Sequence, residues 1–332
     1  MDRAAGEYAE QSSLPAQRGP SGPPPHAAGV VASDAEVLAV AVPYLEEGLR
    51  EGDLIALTCR PEIAHLLSDA LDGLLHPVPN DPRLSLLGSR APDVLVSCNA
   101  YLERAGETRN GRLRVLSAVD FGDDPADWRE GQRFESVVNR LLDGDLVSTL
   151  CLYDRRYLPE PVIASAAATH PLLVDGGTWA ASRHFQEPGD YVRSLPVPRE
   201  SAEDVPPALV VEGATSLAGL RHTMGAVFER VVPDRDQRQD TLLAGAEIAA
   251  NAFRHGRPPV SARVWADART LVVTISDRGS GFADPLAGFQ PAHGPDLGRG
   301  GMGLWLARKL FDHVDLLPGP DGLTVRLATR LR

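Results

Sequence analysis

Glu247, Asn251 and His255 recur every four residues within 238-RQDTLLAGAEIAANAFRHG-256, a spacing that lines three polar side chains along one slowly drifting stripe of a helix. A solvated face is the plain reading of such a stripe. Its neighbours Ala246, Ile248, Ala249, Ala250 and Phe253 are apolar, however, so a carboxylate and an amide set among them need something polar to meet. Two glycine clusters supply it, 277-DRGSGF-282 and 298-GRGGMG-303, although either alone would be weak evidence. Asp277 closes the apolar run 270-TLVVTIS-276, where an acceptor can read an amino group, and Gly279 and Gly281 allow flat approach of a ring. Gly298, Gly300, Gly301 and Gly303 open a helix whose first amides point outward and suit phosphate oxygens. Asn251 offers a neutral oxygen to a hard cation that keeps most of its waters and bridges phosphates, the usual manner of Mg²⁺.

The elements that must position these residues follow from periodicity. In the second half, helix-like 216-SLAGLRHTMGAVFERVV-232 and 238–256 precede two strands, 260-VSARVWAD-267 and 270-TLVVTISD-277, then a helix, 301-GMGLWLARKLFDH-313, and a terminal hairpin, 314-VDLLPGPDGLTVRLATRL-331. Helices followed by antiparallel strands predict an α+β sandwich. In the first half, 34-DAEVLAVAVPYLEEGLREG-52 reads as a helix interrupted at Pro43, and 53-DLIALTC-59 as a buried strand followed by a helix over 61–71. The apolar runs 93-DVLVSCNAYL-102, 113-LRVLSAV-119 and 146-LVSTLCLYD-154 read as further strands, with an amphipathic segment over 125–143. Alternating strands and helices predict an α/β domain with a mostly parallel sheet. Residues 1–25 read as a disordered tail, 26–174 as the first domain, 175–207 as a linker rich in Gly, Pro and charge, and 208–332 as the second domain. Few features of that linker would hold the halves rigidly, which predicts two separately folding units.

Composition excludes several classes. With 33 basic against 45 acidic residues the net charge is -12, which argues against direct binding of nucleic acid and leaves room for a protein partner with a basic face. Lys309 is the only lysine, and neither GxxxxGK[ST] nor VAIK is present, so a phosphate-loop or protein-kinase lysine is ruled out. Cys59, Cys98 and Cys151 stand far apart and read as reduced thiols of a cytoplasmic protein. No apolar run approaches the ~20 residues that span a bilayer, and the N-terminus lacks the apolar core of a signal peptide.

The segments EIAANAFRHG, DRGSGF and GRGGMGLWLARKL, in that order, resemble the N, G1 and G2 boxes of the GHKL ATPase superfamily, whose nucleotide site is the Bergerat fold. The resemblance covers roughly residues 214–332. Within the superfamily the chain is most similar to the anti-sigma-factor serine kinases of bacterial partner-switching systems. Glu247 lies four residues before Asn251, where those kinases carry a catalytic carboxylate, and only about fifteen residues separate Phe282 from Gly298, which implies a short ATP lid. The resemblance implies Glu247 as general base, Asn251 as Mg²⁺ ligand and Asp277 as adenine reader. It places Gly279 and Gly281 beside the base, Gly301 and Gly303 on the phosphates, Arg299 on the γ-phosphate, and His255 with the nucleotide-binding set. Gly298 departs from the family, which often has an acidic residue there. His222 in LRHTMG lacks the flanking acidic residue and proline of a histidine-kinase box and reads as a partly exposed helix histidine.

Residues 26–59, RFESVVNRLL (133–142) and TLCLYDRRYLPEPVI (149–163) resemble the MEDS sensory domain of actinobacterial regulators, similar to RecA-type α/β domains without a phosphate loop. Its polar or reactive positions are His26, Glu135, Cys151, Tyr153 and Asp154. The resemblances imply a cytoplasmic anti-sigma regulatory kinase. It would bind Mg·ATP and either sequester a sigma factor or phosphorylate a serine of an anti-sigma-factor antagonist, under sensor control, with no membrane partner and with a homodimer left open. The alternatives are a binding module switched by ATP occupancy without kinase activity, and an atypical sensor histidine kinase.

Overall fold

The computed structural model describes residues 25–72, 74, 78–142, 144–279, 284–291 and 302–332. Residues 1–24 of the expected tail lie outside the described residues. The rest form two units of the expected classes, a mostly parallel α/β unit followed by an α+β unit built on an antiparallel sheet.

In the first unit β1 (His26–Val31), β2 (Leu54–Thr58), β3 (Leu113–Ala118), β4 (Val147–Asp154), β5 (Leu172–Asp175) and β6 (Thr178–Ala181) form one sheet in the order β2-β3-β4-β1-β5-β6. Every pairing is parallel except β5 with β6. Parallel neighbours require crossovers, and helices accordingly cover both faces. On one face α1 (Asp34–Glu51) and α2 (Pro61–Ala70) pack Val37, Tyr44, Leu45 and Leu67 against Ala27, Val31 and Leu57. On the other lie α3 (Ala91–Ala105), α4 (Pro125–Leu141) and α5 (Glu160–Thr169), where Ala28, Cys151 and Tyr153 meet Val162 and Ala166. Ala27 and Ala28 face opposite ways because side chains alternate across a strand. Only Ala32 and Ser33 separate β1 from α1, and the Ser33 hydroxyl accepts the Glu36 N–H as an N-cap, which leaves no room for a phosphate-cradling loop.

Two expectations for this unit are corrected. The run 93–102 is helical, not extended, because Val94, Leu95, Cys98, Tyr101 and Ala105 are buried at helical spacing and Pro92 sits in the first turn. Pro43 lies inside a continuous α1 and does not divide it.

In the second unit β7 (Leu209–Ala214), β8 (Val260–Ala266), β9 (Thr270–Asp277), β10 (His313–Gly319) and β11 (Gly322–Arg330) form an antiparallel sheet in the order β10-β11-β9-β8-β7. Its core joins Met224 and Phe228 of α7 (Leu217–Val231), Ile248 and Ala249 of α8 (Arg235–His255) and Ala307 of α9 (Met302–Leu310) to Val264, Val273, Ile275 and Leu327 of the sheet. Against the opposite face, Ala202 from the turn Ser201–Asp204 seats on Val272 and Ala328. Residues 175–207 thus carry β6, α6 (Pro188–Ser194) and a turn that plugs the second sheet.

A buried ionic seam joins the units. Asp315 on β10 lies 2.8 Å from Arg133 and 2.9 Å from Arg129 of α4, and 3.1 Å from Arg326 of β11. Arg133 also donates to the Val314 carbonyl at 3.0 Å. Burial raises the Asp315 pKa, but the guanidinium groups of Arg133, Arg129 and Arg326 outweigh it and hold the carboxyl at about 2. Around this centre Arg90 pairs with Asp312, Lys309 with Asp93, and Arg330 with both Asp124 and Asp127. The two units are therefore held by more than the segment that connects them. The partners stand nearly two hundred residues apart, so the composition of the connecting segment carried no trace of them.

Candidate functional site

The stripe on α8 begins with a well-made helix. Asp234 caps it by accepting the Gln237 N–H at 2.7 Å, and Thr241, Ala244, Gly245, Ile248, Ala249 and Ala252 bury one face. Glu247 and Asn251 are half-buried beside that face, whereas His255 is exposed in the last turn. Neither Glu247 nor Asn251 uses its side chain in a hydrogen bond or ion pair among the described residues.

The first turn of α9 rests on the same stripe. A methyl group added at Gly303 would lie 2.8 Å from Asn251 Nδ2 and 3.4 Å from Glu247 Cβ, so any larger residue would force the Asn251 amide to turn or the helices apart. The N-terminal amides of a helix have no intrahelical acceptors and carry the positive end of its dipole. The carboxylate, the amide and an anion-favouring helix terminus thus meet at one place.

Asp277 is fixed at the far end of the stripe. It ends β9, and its Oδ1 accepts the Gly279 N–H at 2.7 Å. Side chains at Gly256 or Gly279 would collide with its carboxylate, and one at Gly322 would collide with its carbonyl. The Arg278 N–H donates to the Arg257 carbonyl at 2.8 Å, which ties the end of β9 to the residues just past α8. Asp277 therefore abuts Gly256, five residues beyond Asn251, an axial offset of roughly 7.5 Å at the rise of an α-helix. Asp277 thus stands at one end of the stripe, and Asn251 with the first turn of α9 further along it.

The structure thus brings together Glu247, Asn251, Asp277, Gly279 and Gly303. Gly281, Arg299 and Gly301, with Phe282, Gly298 and Gly300, lie outside the described residues. Gly256 and Gly322 are additions. Gly256 closes the motif that carries the stripe, and Gly322 reads in sequence as an ordinary hairpin residue. His222 is exposed on α7, in keeping with its reading as an ordinary helix histidine.

In the first unit, three of the polar positions converge under the sheet. Glu135 of α4 places Oε2 3.2 Å from His26 Nε2 and 3.6 Å from Cys151 Sγ, and Cys151 Sγ lies 3.7 Å from His26 Nε2. His170, just past α5, completes the group with Nε2 3.4 Å from the same Glu135 oxygen. The sequence reading did not single out His170, which sits alone between an alanine-rich helix and a proline. Tyr153 packs edge-on against its ring, while Asp154 stands apart and pairs with Arg156.

Residues 212–329 match the family model described as a histidine kinase-like ATPase domain. Residues 25–171 match MEDS, the methanogen/methylotroph DcmR sensory domain. No curated protein matches the chain. The chain therefore joins a MEDS sensory domain to a histidine kinase-like ATPase domain, as the motifs led us to expect, and the latter implies binding of ATP, usually with Mg²⁺. Among the described residues no helix is long and apolar enough to cross a membrane.

Proposed function

We propose that the ATPase domain is a protein serine kinase of anti-sigma type, acting in the cytoplasm. It binds Mg·ATP and either sequesters a sigma factor or phosphorylates a serine of an anti-sigma-factor antagonist, under control of the MEDS domain. One adjacency carries the reading: Glu247 lies one helical turn before Asn251, and both lie against Gly303 at the N-terminus of α9. Asn251 would supply its amide oxygen to a Mg²⁺, and the α9 amides would meet phosphate oxygens. Asp277 keeps one carboxylate oxygen for the adenine amino group while the other holds Gly279. Glu247 accepts the proton of an attacking hydroxyl as the new oxygen–phosphorus bond forms and the bond to the ADP leaving oxygen breaks. Gly281, Arg299 and Gly301 belong to the same proposal as base-side and phosphate contacts. The net charge of -12 favours a protein partner with a basic face.

Phosphoamino-acid analysis after incubation with Mg·ATP and an antagonist captured from the native cell tests the assignment. Phosphoserine on the partner is the expected result. Phosphohistidine on the chain would overturn it, and so would ATP-dependent partner binding with no transfer, which marks an occupancy switch instead.

A further inference from the structure

The group formed by His26, Glu135, Cys151 and His170 has an electrostatic peculiarity that points to a ligand. All four side chains are buried, and their candidate ligand atoms lie within 4.8 Å of one another. They come from four separate elements: the start of β1, α4, β4 and the residue after α5.

The outer hydrogen bonds of both histidines fix their tautomers. The Asn139 amide nitrogen donates to the carbonyls of Glu135, Ser136 and Thr169, so its oxygen must be the acceptor for His26 Nδ1 at 3.0 Å. His170 Nδ1 lies 3.0 Å from the Ala166 carbonyl and 3.0 Å from Thr169 Oγ1, whose own hydrogen goes to the Ser165 carbonyl. Each Nδ1 therefore carries a hydrogen, and each Nε2 points inward. Both Nε2 atoms face Glu135 Oε2, which also accepts the Cys151 thiol hydrogen. At 3.4 Å the His170 contact lacks hydrogen-bond geometry, so this fully buried nitrogen has no partner. Among the described residues no arginine or lysine lies within ion-pair distance of the Glu135 carboxylate, which meets only these two imidazoles. Four buried ligand-type atoms thus converge on one point, held together by the single Cys151 thiol hydrogen and leaving His170 Nε2 unpartnered, an arrangement that a cation would satisfy.

We propose that His26 Nε2, Glu135 Oε2, Cys151 Sγ and His170 Nε2 bind a single Zn²⁺-class divalent ion in a closed, four-coordinate site. Four of the six separations, 3.2, 3.4, 3.6 and 3.7 Å, match the edges of a tetrahedron whose arms are about 2.0–2.3 Å, the range for zinc with nitrogen, oxygen and sulfur, and the other two lie within 4.8 Å, so His170 would move inward slightly on binding. One thiolate and one carboxylate balance a dication, so the filled centre is neutral in a dry interior. Binding releases the Cys151 thiol proton to solvent. Mixed nitrogen, sulfur and oxygen donors exclude Mg²⁺ and Ca²⁺, which take oxygen. Asn139 and the Ala166 carbonyl orient the two imidazoles as the outer partners of metal-bound histidines do.

The test uses full-length, tag-free protein stripped with a chelator, desalted and titrated with Zn²⁺ alone or Co²⁺ alone. Expected are retention of one Zn²⁺ per chain through gel filtration and a rise in thermal midpoint. Co²⁺ should give a sulfur-to-cobalt charge-transfer band together with the intense visible bands of tetrahedral cobalt. Cys151→Ser should lose the charge-transfer band, and Asn139→Ala should weaken Zn²⁺ binding about 10- to 100-fold without removing a ligand. Circular dichroism and ATP binding report whether each variant is folded. Stripped wild-type protein that takes up no Zn²⁺ overturns the proposal without any variant, as does a cobalt spectrum that lacks the sulfur band or is unchanged in Cys151→Ser.

Discussion

Gly303 on α9 and Asn251 on α8 touch so closely that the Cβ of any other residue at 303 would sit 2.8 Å from the Asn251 amide nitrogen. The contact couples the mouth of the α9 amides to the residue proposed to hold Mg²⁺. Gly303→Ala should turn the Asn251 side chain or lift α9, at a cost of about 1–3 kcal/mol typical of overpacking, or roughly 5- to 150-fold in Mg·ATP affinity if that cost falls on the bound state. Calorimetry with Mg·ATP checks this, and unchanged affinity would separate Gly303 from the nucleotide. Asn251→Ala should remove the Mg²⁺ dependence of binding in the same measurement.

Glu247 is predicted to act in the transition state more than in the ground state. Glu247→Gln should retain ATP affinity yet lower phosphoryl transfer by ~10²–10⁴-fold. Steady-state transfer to a verified partner, compared with wild type at saturating Mg·ATP, decides the matter. Equal rates would remove the base assignment.

Asp277→Asn preserves an oxygen for the Gly279 N–H, so the turn after β9 should survive. What the variant loses is a charged acceptor for the adenine amino group, worth about 1.5–3 kcal/mol, or roughly tenfold to a hundredfold in affinity. Wild type should favour ATP over GTP, and the variant should narrow that preference. Equal binding of the two nucleotides by wild type would show that Asp277 reads no amino group.

The seam between the units should depend on pH at both ends. Burial lowers the His313 pKa, but its contacts with Asp127 and Glu200 outweigh this and raise it from an ordinary 6.5 to about 9. A raised value means that the contribution is complete below 6.5 and is lost as the pH climbs through 9. Asp315 is depressed to about 2 from an ordinary 3.8, so its share is present above 3.8 and lost as the pH falls toward 2. Scanning calorimetry should show a midpoint that falls between pH 6.5 and 9, with a smaller fall in His313→Gln. An identical decline in both proteins would remove His313 from the alkaline limb. Asp315→Ala should destabilise the protein by at most about 3–5 kcal/mol near neutral pH, since three buried guanidinium groups lose their shared partner while Arg133 and Arg129 keep Glu130 and Arg326 keeps Glu203. An unchanged midpoint would contradict that.

The site was legible where its parts are short-range. Glu247 and Asn251 share one helix, Asp277 and Gly279 one strand end, and β8 and β9 flank a turn written in 267-DAR-269, so local periodicity placed them all. Long-range features were not legible. Gly256 and Gly322 close on Asp277 only after a helix, a strand and a hairpin have come together, and the second of these glycines lies far along the chain. The same holds for His170, whose partners His26 and Glu135 stand on other elements. Residues 93–102 misled for a different reason. A short run of apolar residues fits either a buried strand or a buried helix, and here the spacing of Val94, Cys98 and Tyr101 with Pro92 before them decided for the helix.

Helix α4 faces two ways. Glu135 turns toward His26 and His170, and Arg133, two residues earlier and so on nearly the opposite side, reaches across to Asp315 and the Val314 carbonyl of the ATPase domain. A rigid rod gripped at both flanks cannot be re-seated at one without disturbing the other. If a change at Glu135 alters the affinity for nucleotide by some factor, nucleotide must alter the affinity of the Glu135 site by that same factor, because the cycle linking the two equilibria has to close. Loading the ATPase domain with nucleotide would then reset the threshold of the sensory domain, with α4 as the lever arm shared by both.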